Sequence, residues 1–305
     1  MRRLSEPAKG HLAMLLFSAL VAGSFSLGVM IANEIEPAAL TTVRFVISGL
    51  LVGAVCLAGP GLRPAHFRAP WRYLLIGGIF AAYFVLMFEG LKTAAPVSAS
   101  AVFTLTPVMS AAFAWLLLRQ VTTPRMAAAL AIGAMGALWV IFRADLSALL
   151  AFEVGRGEAV YFVGCIAHAV YPALIRLFNR GEPAVVFTFG MMTAAVGALV
   201  IYGWGDIRTT DWAGLRPLVW VVIGYLAVFA SATTFVLLQY AALRLPSAKV
   251  MAYTYLTPSV VILWEMALGR GAPPVAVALG VGLSAVALLM LLRDEEARAA
   301  SRALR

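Results

Sequence analysis

Long apolar runs separated by short polar punctuation fill the chain from residue 12 to residue 292. An α-helix rises 1.5 Å per residue, so it needs ~20 apolar residues to cross a hydrocarbon core. Ten runs reach that length: 12–33, 38–58, 71–91, 97–118, 124–143, 157–178, 183–203, 217–241, 247–269 and 273–292. The breaks between them carry proline or glycine, at Glu36-Pro37, Gly59-Pro60, Thr123-Pro124, Glu182-Pro183 and Pro273-Pro274. Such pairs start helices or turn the chain. The connections are short, so successive helices are expected to be antiparallel neighbours. The first run follows Arg2 and Arg3 but is too long for a signal-peptide core, and it reads as a mature helix.

Composition narrows the class. The chain is 63% hydrophobic and 12% charged over 305 residues, well outside the range of a soluble domain. The net charge of +9 does not point to nucleic acid, because the basic residues stand singly between apolar runs and form no patch. They point to orientation instead. Apart from Arg44, inside the second run, and Lys92, Arg143, Arg156, Arg208, Arg216 and Arg270, every Lys and Arg falls on alternate segments that share a side with the N-terminus. The positive-inside rule then places both termini in the cytoplasm of a bacterial-type inner membrane. Cys56 and Cys165 lie in apolar runs and read as small buried thiols, although the sequence leaves a disulfide open.

The chain also repeats. Leu105-Thr106-Pro107 in the fourth run returns 151 residues later as Leu256-Thr257-Pro258 in the ninth. Glu36-Pro37-Ala38 after the first run returns as Glu182-Pro183-Ala184 after the sixth, 146 residues on. This predicts an all-α membrane protein of two five-helix units, residues 10–143 and 154–293, followed by a charged tail at 294–305. Five is odd, so the second unit is expected to enter the membrane upside down. Inverted repeats are a recurrent plan of secondary transporters, with the cargo site near mid-membrane between them.

Several further residues carry a resemblance. They are Gly23-Ser24, Pro37, Arg44-Phe45, Gly90-Leu91-Lys92-Thr93-Ala94 and Leu105-Thr106-Pro107, with Ala241-Ala242-Leu243 and Leu256-Thr257-Pro258 in the second half. In these the chain resembles the ten-helix EamA-domain permeases of the drug/metabolite transporter superfamily. Arg119-Gln120 and Gly269-Arg270 stand where that family commonly has Gly-Glu. The resemblance implies export of amino acids or related small metabolites.

Candidate cargo and gating residues are polar or kinking groups inside the runs, because such groups are costly in hydrocarbon. Pro107 and Pro258 should kink their helices and line a central cavity. His168 and Tyr171 share a helix face at i, i+3. Tyr253 and Tyr255 precede the second kink and offer hydroxyls to the cavity. Glu89 pairs with Lys92 or serves as a proton or amine site, and Glu265 stands two turns beyond Pro258 as a cavity acid. Arg44 is expected in a structural or gating ion pair, with Glu34 and Glu36 near enough along the chain to be partners, in preference to the alternative of direct contact with cargo, and Lys249 is expected to snorkel to the cytoplasmic interface. The Phe80-Phe84-Phe88 stripe is expected to pack or to face lipid.

These features predict a secondary permease of a small-molecule substrate in the lipid bilayer, with proton coupling resting on Glu89, His168 and Glu265. No cofactor, metal or nucleic acid is expected, and no phosphate-binding glycine loop appears. A passive channel-like facilitator is the competing reading. An integral-membrane enzyme is disfavoured, because its histidines and acids do not cluster along the chain.

Overall fold

The structure is a computed structural model that describes residues 6–142, 144–151, 154–271 and 274–303. Arg2, Arg3, Arg143 and Pro273, and the side chains from Arg293 onward, lie outside the described residues. Every regular element among the described residues is helical. In order they are α1 (Glu6–Gly28), α2 (Pro37–Ala58), a 3₁₀ turn (Pro64–Phe67), α3 (Trp71–Leu91), α4 (Pro96–Phe103), α5 (Thr106–Leu118), α6 (Pro124–Ile141) and α7 (Leu146–Ala151). Then follow α8 (Arg156–Phe178), α9 (Ala184–Tyr202), α10 (Trp204–Thr209), α11 (Pro217–Ala227), a π-helical turn (Val228–Thr233) and α12 (Thr234–Ala242). The chain closes with α13 (Ser247–Ala252), a 3₁₀ turn (Tyr253–Leu256), α14 (Thr257–Ala267) and α15 (Val275–Ala303).

Eight helical runs, taking α4 with α5 and α11 with α12, are long and apolar enough to cross a membrane, and Val275–Leu291 is a shorter apolar one. Prolines set many of the boundaries. Pro37, Pro96, Pro107, Pro124, Pro217 and Pro258 all sit in first turns. There the missing N–H has no intrahelical partner to lose and the fixed φ suits the helix.

Three expectations need correction. The fourth and ninth runs do not merely kink at Pro107 and Pro258. Each helix stops and a new one starts on the threonine before the proline. The eighth run is not a uniform α-helix, because a π-helical turn lies in its middle. The first helix runs from Glu6 to Gly28 rather than from 12 to 33. Its early start is fastened by Glu6, which accepts from Lys9 Nζ at 2.6 Å and from Arg244 Nε at 2.7 Å. A left-handed residue follows both α5 and α14, Arg119 at φ 54° directly after the first and Gly269 at φ 75° two residues after the second. Glycine adopts that conformation freely, whereas an arginine pays a steric cost.

Helices pair across the two halves. α2 packs on α9, α3 on α8 and α9, α1 on α12 and α14, α5 on α8 and α13, α4 on α14, and α6 on α15. Water gives little drive for helix association inside a bilayer, so close backbone contact has to supply it. α3 and α8 meet where Gly90 and Gly157 each leave no room for a Cβ beside the other's carbonyl. Gly136 and Gly280 do the same for α6 and α15. Cys56 on α2 and Cys165 on α8 are free buried thiols.

Candidate functional site

The two broken helices meet at their breaks. α4 lies on α14 and α13 on α5, so the first part of each packs on the second part of the other. At the meeting point the hydroxyls of Thr106 and Thr254 are 3.3 Å apart, and both residues are fully buried. Pro107 and Pro258 flank that point, also buried. The hydroxyls of Ser110 and Thr257 beside it have no hydrogen-bond partner among the described residues.

Next to the crossing stands a block of aromatic rings from α3, α4 and α8. Tyr83 stacks on His168 at 4.4 Å between ring centroids, and Phe103 lies 5.0 Å from the same imidazole. Phe80 stacks on Tyr171 at 4.2 Å. Tyr83 and Tyr161 share a hydrogen bond of 2.9 Å. His168 is almost completely buried, and neither of its ring nitrogens has a partner among the described residues. Buried polar atoms normally find one, so this exception calls for a functional account. The Phe80-Phe84-Phe88 stripe faces inward, with all three rings buried.

Arg44 adjoins this block. Its guanidinium lies over the Phe84 ring, 4.2 Å from the centroid. Nε donates to Ser231 Oγ at 2.9 Å, and Nη2 donates to Ser231 Oγ at 2.6 Å and to the Ala230 carbonyl at 3.1 Å. Ser48, one turn on, donates to the Ala227 carbonyl at 2.8 Å. These acceptors lie in or beside the π-helical turn, where the widened backbone changes which carbonyls are engaged. Glu34 and Glu36 are therefore not the partners of Arg44, contrary to expectation. The Arg44 backbone stands about 10 Å along α2 at 1.5 Å per residue, whereas both glutamates precede the helix.

Those glutamates belong to an ionic rim. Arg216 donates to Glu34, with Nε–Oε2 at 2.8 Å, and Lys92 bridges Glu36 and Glu89 at 2.9 Å each. The Arg216 hydrogen bond draws the Glu34 carboxyl below its ordinary range. Burial pulls the Lys92 ammonium down, but its two carboxylate partners outweigh that and raise it. A cavity of about 460 Å³ opens at this rim, lined among others by Asn33, Glu34, Glu36, Lys92, Thr210 and Asp211.

The opposite end of α3 is closed by a buried ion pair. Arg72 donates to Glu182 Oε1 at 2.7 Å and to the Phe178 carbonyl, which ties α3 to the loop between α8 and α9. Nothing in the sequence couples these two residues, although Glu182-Pro183-Ala184 repeats Glu36-Pro37-Ala38.

The remaining expected residues are dispersed. Glu89 is held by Lys92, the first of its two expected roles, and Glu265, expected as a cavity acid, is held by Arg270 at 3.2 Å. Tyr253 turns to the start of α1, where its hydroxyl meets His11 Nδ1 at 2.7 Å. Tyr255 turns to α6, its ring against Gly133. Neither tyrosine joins the His168 block. Lys249 is buried and does not snorkel. Sequence reasoning missed Glu158, buried in the first turn of α8, which accepts from Ser98 Oγ at 2.8 Å. Its position beside a helix N-terminus was the available signal.

Comparison with known proteins now decides the class. The EamA-like transporter family matches over residues 8–142 and 155–293. The chain belongs to that family. It is 23% identical over 266 residues to an uncharacterized transporter, YyaM, of Bacillus subtilis (strain 168), a match that covers 85% of this chain and 86% of that one. A crystal structure with 23% identity has the same fold, with a TM-score of 0.70 over 95% of this chain and 97% of the other. This EamA-like protein is a multi-pass membrane transporter.

Proposed function

We propose that this transporter is an alternating-access carrier that exports small metabolites, such as amino acids or related compounds. Its cargo site would lie where the two broken helices cross. The crossing at Thr106 and Thr254 is the observation that carries the proposal, because it puts two interrupted helices and unpartnered hydroxyls at the middle of the bundle. Irregular backbone at membrane depth is tolerated only where protein or a cavity covers it.

The proposal includes ten membrane passes in two inverted five-helix units, with α13 and α14 forming the ninth and α15 the tenth. Exchanging the units carries the α3–α8 contact into α12–α1, and the α5–α8 contact into α14–α1. The α2–α9 and α6–α15 contacts map onto themselves. The ion pairs follow the same exchange, since Arg72–Glu182 and Arg216–Glu34 each join the start of one long helix to the loop before another. With both termini in the cytoplasm of an inner membrane, the cavity at Lys92 faces outward and the Arg72–Glu182 pair closes the inner side. Proton coupling, if it drives export, is left to His168, since Glu89 and Glu265 are each paired with a basic residue.

A single cysteine tests the alternation. With Cys56 and Cys165 replaced by alanine, Thr106→Cys is expected to react with a membrane-impermeant thiol reagent in both right-side-out and inside-out vesicles. Labelling from one side only would contradict alternating access at this point.

A further inference from the structure

A buried charge in this bundle has no counter-charge among the described residues. Arg44 is fully buried, and its described partners are one hydroxyl, one backbone carbonyl and the faces of phenylalanine rings, all of them neutral. Its Nη1 has no hydrogen-bond partner among the described residues. The acids of the long helices and their loops are engaged elsewhere: Glu34 with Arg216, Glu36 and Glu89 with Lys92, Glu182 with Arg72, Glu265 with Arg270, and Glu158 with Ser98. Among the described residues none pairs with Arg44. Ring faces and neutral acceptors hold a guanidinium less strongly than a carboxylate does. An arginine at membrane depth ordinarily pairs with an acid, bonds backbone carbonyls or reaches water, and here one carbonyl and one hydroxyl leave Nη1 without a bond among the described residues.

We infer that the missing counter-charge is the cargo, so that the transporter carries amphipathic organic anions whose carboxylate meets Arg44 and whose flat apolar body lies among the aromatic rings. The inference rests on the carrier reading above and names the cargo class of its central site. Two observations converge on it. The free guanidinium nitrogen supplies a donor to an anion in a low-dielectric setting, where such a bond is strong. Phe84 links that donor to the ring block, lying 4.6 Å from Tyr83, which in turn stacks on His168. Rings favour a planar or apolar partner, and they touch one another in this closed arrangement, so cargo replaces ring–ring contacts with ring–cargo contacts. A cationic amine is excluded by the same charge: it would bring a second buried positive group beside Arg44 with no acid to offset it.

The test compares three probes with one body and different heads: phenylacetate, 2-phenylethanol and phenethylamine. Each is added in excess to the full-length protein in detergent micelles, and unfolding is followed on heating. A ligand that binds the folded state raises Tm. Phenylacetate is expected to raise it by roughly 2–4 °C, and the alcohol and amine by much less. Arg44→Gln is expected to weaken phenylacetate binding by about tenfold or more, the usual scale for one charge-assisted hydrogen bond. Should Arg44→Gln fail to fold, Arg44→Lys serves instead, keeping the preference for acid over alcohol with weaker binding. A larger shift from the amine or alcohol overturns the inference, as does no shift from phenylacetate or an equal phenylacetate shift in wild type and Arg44→Gln. None of these results touches the carrier reading, which the Thr106→Cys labelling tests without any ligand.

Discussion

His168→Phe is expected to make the protein more stable and to stop transport. The imidazole is buried among Phe80, Tyr83, Phe103 and Tyr171, with neither nitrogen bonded among the described residues. A buried polar group without a partner costs about 1–3 kcal/mol, and replacing it by an apolar group of similar shape recovers that cost. A phenylalanine fits a stack of rings, and its somewhat larger volume offsets only part of that gain. At roughly 2–4 °C per kcal/mol for chains of about this size, Tm should rise by several degrees. The loss of function follows from the same fact, because a polar group is retained at such a cost where it is used. Thermal unfolding in micelles and flux in proteoliposomes, measured on one preparation, check both halves. A lower Tm with unchanged flux would show that His168 is a packing residue.

Breaking the Arg72–Glu182 pair should have the opposite effect on stability. Both side chains are almost fully buried and tie α3 to the α8–α9 loop. Removing one partner leaves the other charge buried and uncompensated, a loss of about 3–5 kcal/mol. Arg72→Ala should therefore unfold far more easily, by Tm or by the fraction that stays monodisperse on extraction.

A pH signature accompanies the pair. Burial acts to raise the Glu182 carboxyl, but the Arg72 guanidinium and the Arg180 backbone N–H outweigh it and hold the carboxyl below its ordinary value of 4.5. A folded-state value lower than the unfolded one means that ionised Glu182 stabilises the fold. The full contribution is present above about pH 4.5, and it fades as pH falls through the lower folded value. Wild-type Tm should thus drop on acidification below about pH 4.5, and the drop should be shallower in Arg72→Ala. Equal acid limbs in the two proteins would remove this pair from the account.

What could be read from the chain itself follows from range. Helix existence was legible because apolar runs and first-turn prolines act locally, and α2, α3 and α9 start and end within a residue or two of their expected bounds. Pro107 and Pro258 were legible as interruptions but not as complete breaks, since the choice between kink and restart depends on the helix packed across them. The π-helical turn had no sequence signal, as residues 228–233 contain neither proline nor glycine. Its hydrogen bonds to a distant side chain are with Arg44, nearly two hundred residues away. The same distance explains the misplaced Arg44 partners, because proximity along the chain favoured Glu34 and Glu36 while the fold supplied Ser231. His168 and Tyr171 could be grouped by helical spacing, and they do share the ring block. Tyr253 and Tyr255 could not be oriented, because the 3₁₀ turn that carries them sends one towards α1 and the other towards α6.

Counterflow in proteoliposomes of the purified protein tests the central claim most directly. Vesicles loaded with unlabelled cargo, phenylacetate in the first instance and a mixture of amino acids in the second, are diluted into a trace of the same compound in labelled form. An alternating-access carrier gives transient accumulation of label that saturates with concentration and vanishes in empty vesicles. Label that enters in simple proportion to its concentration, whatever the vesicles contain, would show a pore and contradict the account.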